Sequence, residues 1–216
     1  MIVGAGEFAQ IANEYFTHDS DYLVECFCVH SDYIRSASLD GRPVVPYEEM
    51  ASRYPADGYQ VFVAIPATRL NRLRREFYED LKGRHYRFAT YISSRAFVWR
   101  NAVIGENTFI FENNVIQPFV TIGNNCVLWS GNHVGHRTVI EDHVFVASHA
   151  VISGYCRIGA GSFLGVNSTI NDHVSIGANV VVGSGAVISR DAEAGRVYSG
   201  GSAKAVPGLS SFEVEL

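Results

Sequence analysis

The sequence predicts a mixed fold, a small N-terminal α/β (Rossmann-like) domain followed by a parallel β-helix. Three observations predict it. Ile104, Ile110, Ile116, Ile122, Leu128, Val134, Ile140, Val146, Ile152, Ile158, Leu164, Ile170, Ile176, Val182 and Ile188 recur every sixth residue, and the phase reaches back through Val98 and Ile92. That period fits neither an α-helix nor a simple strand, and it is the repeat of a coiled β-helix in which three hexads close a triangular coil. The residue four places after each aliphatic is mostly small, as at Thr108, Asn114, Cys126, Asn132, Ala150 and Ala186. The third observation is the change of pattern before residue 91, where apolar runs alternate with helix-like stretches.

Taken in order, Ile2-Val3 is a short strand running into Gly4, and a helical pattern follows through Phe8, Ile11, Ala12 and Tyr15-Phe16. Tyr22 to Val29 reads as a strand, Pro46 to Tyr54 as a short helix, and Val61 to Ile65 as a buried strand. Leu70 to Leu81 is a charged amphipathic helix, and Tyr86 to Ile92 leads into the coil. This gives domains at 1–90 and 91–190 and a C-terminal tail at 191–216. In the coil, Gly105, Gly123, Gly135, Gly159, Gly165, Gly177 and Gly183 directly follow the aliphatic, and glycine is expected there for its backbone freedom.

Composition narrows the function. Net charge is −5, and no Lys/Arg cluster is interleaved with aromatics, so nucleic acid and anionic membrane are poor partners. No apolar run reaches the roughly 18 residues of a membrane span. The start, MIVGAG, lacks the features of a signal peptide. The four cysteines read as reduced, Cys126 and Cys156 inward and Cys26 and Cys28 on one face of a strand. A cytoplasmic location is expected.

Gly4-Ala5-Gly6-Glu7-Phe8-Ala9 matches G-x-G-x-x-A between a strand and a helix. There Gly4 makes the turn, Gly6 admits a ligand to the backbone, and the helix N-terminus offers amide donors to phosphate. The motif is compatible with a sugar-nucleotide pyrophosphate, with a nicotinamide cofactor, or with a turn that only packs strand on helix. A dinucleotide site wants an acid ending the second strand, where this chain has His30 and, two places on, Asp32.

Five of the eight histidines lie in the coil: His133, His136, His143, His149 and His173. None occupies the inward register, so each faces outward or sits at a corner. Gly131-Asn132-His133-Val134-Gly135-His136-Arg137 gathers two imidazoles and an amide beside Trp129. Acyl transfer from a thioester needs a base titrating near neutrality, which histidine provides. One coil above His136, about 4.8 Å along the axis, stands Gly154. Its N–H is a candidate oxyanion donor, although a corner glycine chosen for its backbone angles explains it equally.

The hexads resemble those of the hexapeptide-repeat acyltransferases, whose coils wind left-handed, over roughly residues 92 to 206. With the N-terminal domain, the chain looks like the sialic-acid and bacillosamine-pathway sugar acetyltransferases. That resemblance implies a left-handed parallel β-helix and an acetyl-CoA-dependent transfer to an amino group, less readily a hydroxyl, of a nucleotide-linked sugar in surface-glycan biosynthesis. It implies a homotrimer and no metal. By position it places the nucleotide on Gly4, Gly6, Glu7, Phe8, the His30–Asp32 region and Pro66, with His30 and Pro66 departing from the family's usual acid and glycine. His136 aligns with the family's catalytic base, with His133 in reserve and His149 acting across a subunit boundary. Arg137 replaces a frequent acid after that base, so the orienting group must come from elsewhere, with Glu141 and Asp142, of this chain or a neighbouring one, as the candidates. Gly200-Gly201-Ser202-Ala203-Lys204-Ala205-Val206 is similar to the family's closing signature, which puts Lys204 near the coenzyme A phosphates. Gly154, Gly165 and Gly183 would line the pantetheine arm. The rival readings are a zinc hydratase of the carbonic-anhydrase type, using His133, His136 and His149, and a non-catalytic scaffold. Phe109, Phe111, Phe119, Trp129, Phe145, Val151, Tyr155 and Phe163 fall off the inward register, so a lone coil would expose large rings, which also favours the trimer.

Overall fold

The computed structural model describes residues 1–201 and Pro207. In the N-terminal part, β1 (Ile2–Val3) lies between β2 (Phe27–Val29) and β5 (Gln60–Val63), both parallel to it. The six-stranded order is β3-β4-β2-β1-β5-β6, with β3 (Ser38–Leu39), β4 (Arg42–Pro46) and β6 (Arg87–Phe88). Only the β3–β4 pair is antiparallel. Helix α1 (Glu7–His18) connects β1 to β2, α2 (Met50–Arg53) is a single turn, and α3 (Arg72–Gly83) connects β5 to β6. The expected strand from Tyr22 shortens to Phe27–Val29, because β4 reaches it only from Phe27 onward. The β3–β4 hairpin was not expected. Its loop, Asp40-Gly41, has both residues at positive φ, the type I′ geometry that Asp-Gly signals.

From Tyr91 onward, two-residue strands alternate with corners and stack into three parallel sheets, in a repeat consistent with a left-handed β-helix. The first face has seven strands, beginning at Tyr91, Phe109, Val127, Phe145, Phe163, Val181 and Val197. The second has six, from Phe97 through His133 to Val187, and the third five, from Val103 to Ser175. Val197–Tyr198 pairs with Val181–Val182, so the coil continues past the boundary expected at residue 190. The hexad aliphatics fill the interior and are joined there by corner residues such as Cys126, Ala150 and Cys156. Polar corner residues close the ladder where strands turn away. Asn132 Oδ1 accepts from Ala150 N at 2.8 Å, and Thr138 Oγ1 donates to Ser153 O at 2.8 Å.

The glycines after the aliphatics serve a different purpose from the one expected. Positive φ falls three residues after the aliphatic, at Asn107, Asn125, Arg137, His149 and their equivalents. The glycines are needed because coils approach closely: a Cβ on Gly135 would lie 2.5 Å from Gly154 N.

The N-terminal part sits on the first face. Phe8, Phe16 and Phe62 pack with Tyr91, Phe109 and Phe111 in one core. Phe109 has ring centroids of Phe8 at 5.7 Å, Phe62 at 5.2 Å and Tyr91 at 4.4 Å. Each such ring contributes about 1.5–3 kcal/mol of burial. This corrects the premise of exposed rings, since Phe109, Phe111 and Phe145 are buried by the chain's own first domain. Phe119, Val151 and Tyr155 remain exposed, together with Phe97 and Val187, on the second face and its far corner.

Helix α3 wraps the corner between the third and first faces. Arg74 is fully buried, and its guanidinium donates to Ile65 O, Pro66 O, Asn125 O and His143 O at 3.2–3.3 Å. No carboxylate is among these partners. Val63 N donates to Asn107 Oδ1 at 2.8 Å, tying β5 directly to the coil. His143 lies beneath α3, where its Nδ1 meets Asn125 Nδ2 at 2.8 Å and its ring meets Tyr78 edge-on. A nitrogen facing an amide N–H accepts, so the imidazole is neutral.

Arg74→Ala should lower stability by about 2–4 kcal/mol, since it orphans buried carbonyls and leaves a cavity, read as a fall in the thermal midpoint. Burial, reinforced by Arg75, pushes the His143 imidazole down to about 4. The unfolded chain therefore binds a proton that the folded chain refuses. Stability should be complete above pH ~6.5 and fall toward pH 4, by at most about 1.4 kcal/mol per pH unit. Replacing His143 with Asn should flatten that limb in denaturant titrations.

Candidate active site

Stacking at an 18-residue repeat places side chains of successive coils in columns, seen in contacts such as Asn107 with Asn125. His136 turns the corner between the second and third faces and is exposed. Its ring lies against Gly154 in the coil above: a Cβ there would be 2.7 Å from His136 Cε1 and 3.0 Å from Nε2. A side chain at Gly154 would push the His136 ring out of this place. From the coil below, Gln117 Oε1 accepts from His136 N at 2.8 Å and stands 3.2 Å from Nδ1. The backbone N–H can only donate, so the Gln117 atom is the oxygen, and Nδ1 must carry the proton toward it. Nε2 is then left as the lone-pair nitrogen.

Gln117 was missed from the sequence. The signal was present, since it stands one place after an inward aliphatic and 19 residues before His136. The expected orienters lie on another corner. Glu141 pairs with Arg157 and caps Ala160 N, and Asp142 caps Asn124 N. Within one chain, neither reaches the His136 corner.

Beside His136 runs a column of large residues in left-handed backbone: Phe119 (φ 64), Arg137 (φ 59), Tyr155 (φ 56) and His173 (φ 62). Equivalent columns on the other corners are mostly Asn, Gly and His. Bulky residues in that region are strained, and such strain gathers at functional sites. Arg137 lies 4.5 Å over the Phe119 ring, Tyr155 meets His136 edge-on at 5.1 Å, and Tyr155 stacks on His173 at 4.8 Å.

The other coil candidates are dispersed. His133 points out from the second face, paired in the ladder with Val115 and Val151. His149 is exposed on the corner between the first and second faces, its ring over Gly131. These imidazoles thus occupy one face and two corners, and no three-ligand metal set forms among the described residues. Gly165 and Gly183 lie on the His149 corner, where a Cβ on Gly165 would meet Ser184 N at 2.6 Å. The structure does not bring them to His136. Lys204 lies outside the described residues.

At the N-terminal end, Gly4 (φ 123) has no room for a Cβ, which would lie 2.7 Å from Ala64 O. Gly6 caps α1 without a side chain, and a Cβ there would meet nothing within 4 Å. Gly4, Gly6, Glu7, Phe8 and Pro66 line a cavity of about 460 Å³ that Trp129 of the coil closes. The Phe8 ring itself is committed to the core. Gly4 and His30 also line a larger cavity of about 640 Å³, walled by Tyr47, Phe77, Asp80 and Arg84. Asp32 is exposed and lines neither cavity. The carboxylate at the end of β2 comes from Glu48, which takes His30 Nδ1 at 2.8 Å and Ser31 N at 3.2 Å. Those contacts hold the Glu48 carboxyl below its usual range, His30 being the larger cause.

The two halves are far apart. The first face carries the N-terminal part, and the His136 corner joins the other two faces, so it is the vertex opposite. Replacing Gln117 with Leu should remove the acceptor that fixes the Nδ1–H tautomer of His136. A histidine-resolved NMR measurement of the tautomer reads this, and an unchanged tautomer would sink the Gln117 contact.

The family model described as the GMPPB C-terminal domain matches residues 87–182. No curated protein sequence matches the chain. Among solved structures, the acetyltransferase domain of PglB from Neisseria gonorrhoeae FA1090, in complex with acetyl coenzyme A, is 23% identical, with 92% of this chain and 94% of that chain covered and a TM-score of 0.84. PerB from Caulobacter crescentus, in complex with CoA and GDP-perosamine, is 24% identical over 92% of each chain, TM-score 0.81. WeeI from Acinetobacter baumannii AYE is 20% identical, covering 87% of this chain and 92% of that one, TM-score 0.56. The chain therefore shares, over nearly its whole length, the fold of these solved structures.

Proposed function

We propose that this protein is an acetyl-CoA-dependent acetyltransferase that modifies an amino group of a nucleotide-linked sugar, serving surface-glycan biosynthesis in the cytoplasm. The observation that carries the reading is the His136 imidazole, fixed by Gln117 with Nε2 free and lying against Gly154. The fold neighbours bound to acetyl coenzyme A and to CoA with GDP-perosamine support the same chemistry. The nucleotide is held at the Gly4–Gly6 turn, where the N-terminus of α1 and the open space at Gly6 suit a pyrophosphate.

Transfer is direct. The sugar amine attacks the thioester carbonyl carbon while His136 Nε2 removes the amine proton. The C–S bond then breaks, and coenzyme A leaves as the thiol, taking the proton back from the imidazolium. The developing oxyanion is received by Gly154 N–H. No cysteine serves as nucleophile, since all four are buried.

His136 and the nucleotide turn lie on opposite sides of one coil, so each site is assembled from two chains of a homotrimer. The apolar second face supports this, because exposed patches of that kind are usually covered. A second reading is favoured by one observation: His149 stands on the corner next to Trp129, which lines the nucleotide-turn cavity of the same chain. In that reading His149 is the base.

His136→Ala should cut turnover about 10²–10⁴-fold with coenzyme A binding unchanged. Retained activity there, with loss in His149→Ala, would establish the second reading. A Gly6→Leu chain, filling the turn cavity, should be inactive through lost nucleotide affinity. Mixing it with His136→Ala chains should restore about a quarter of normal activity, as random pairing at shared interfaces requires. No recovery in mixed trimers would sink the shared site. A screen of nucleotide sugars with acetyl-CoA, reading thiol release, tests the activity itself.

A further inference from the structure

The amide given the oxyanion role is already occupied. Gly154 N–H donates to Asp172 Oδ1 at 2.8 Å, from the exposed corner of the next coil. Caps of this kind recur on the corner between the third and first faces, where Glu106 N donates to Asn124 Oδ1 at 3.0 Å and Asn124 N to Asp142 Oδ1 at 2.7 Å. There the capped amide has no free imidazole beside it. On the His136 corner, a carboxylate oxygen and an imidazole converge on the same glycine.

An anionic oxygen 2.8 Å from Gly154 N–H occupies the place that a thioester oxygen would take as it gains charge. One N–H serves one acceptor at full strength, and an ionised acceptor makes the stronger bond. A neutral thioester carbonyl must therefore compete with a charged one. We infer that Asp172 is a positioning residue that holds the acyl-oxygen site on Gly154 closed until a thioester displaces it, a role that rests on the acetyltransferase reading above. Free coenzyme A has no carbonyl at that atom and leaves the Asp172 contact intact. The acyl donor must break it. Asp172 thus sets the ratio of acetyl-CoA to coenzyme A affinity, without touching the transferred proton.

The test is calorimetric titration of the full chain with acetyl-CoA and with coenzyme A, no acceptor present. Asp172→Ala should bind acetyl-CoA about tenfold more tightly than the unmodified chain, with coenzyme A affinity unchanged. Asp172→Asn keeps an oxygen acceptor without its charge and should fall between. It also serves if the alanine variant folds poorly. Acetyl-CoA and coenzyme A affinities that move together, or that do not move in either variant, overturn the inference, because a purely structural cap cannot tell the two ligands apart. An unmodified chain that is folded but binds neither ligand overturns the acetyltransferase reading itself.

Discussion

Turning a chain through a corner every six residues, with each coil resting on the one below, is the constraint from which the rest follows. It demands one residue per corner in left-handed backbone, and Asn, Gly and His meet that demand at most corners. It forbids a Cβ where corner meets corner, hence Gly135 beneath Gly154 and Gly159 beneath Gly177. It also sets side chains distant in sequence one above another. Gln117, His136, Gly154 and Asp172 form a group only because coils stack. No local motif would have assembled them.

The second determinant is the junction of the two parts. An aromatic core fixes the N-terminal sheet on the first face, and Arg74 ties the Ile65-Pro66 turn to the backbone of two coil corners. A guanidinium buried without a counter-ion costs desolvation, offset here by carbonyl dipoles converging from both parts, with the Phe145 ring 5.8 Å away. The wall of the Gly4–Gly6 cavity and the coil are thereby one piece. The same junction separates that cavity from His136.

How much of this was legible in the sequence depended on the range of the interaction. The hexads announced the coil because each repeats the same local problem, and the Gly4–Gly6 turn announced itself because strand, turn and helix are contiguous. The 18-residue repeat by itself sets Gly154 against His136. Gln117 and Asp172 escaped because their roles depend on side-chain reach between coils, to which a period is blind. Glu48 escaped because the acid was sought at the end of the second strand and is delivered from the far end of a hairpin, whose Asp40-Gly41 signal went unread. The aromatic residues of the first face read in the sequence as an intermolecular surface, since nothing in a hexad says which face the first domain will cover.

The six-residue period limits how the molecule can change length. Eighteen residues added between the first domain and His136 would lift the later coils by about one strand spacing, 4.8 Å, and leave every corner facing as before. Six added residues would rotate all later residues by a whole face. The Phe119–His173 column and His136 would then no longer stand opposite the N-terminal sheet, and residues shaped for solvent would be turned beneath it. Length variation upstream of the His136 corner is therefore quantised in whole coils, whereas beyond the last coil it is free of that rule.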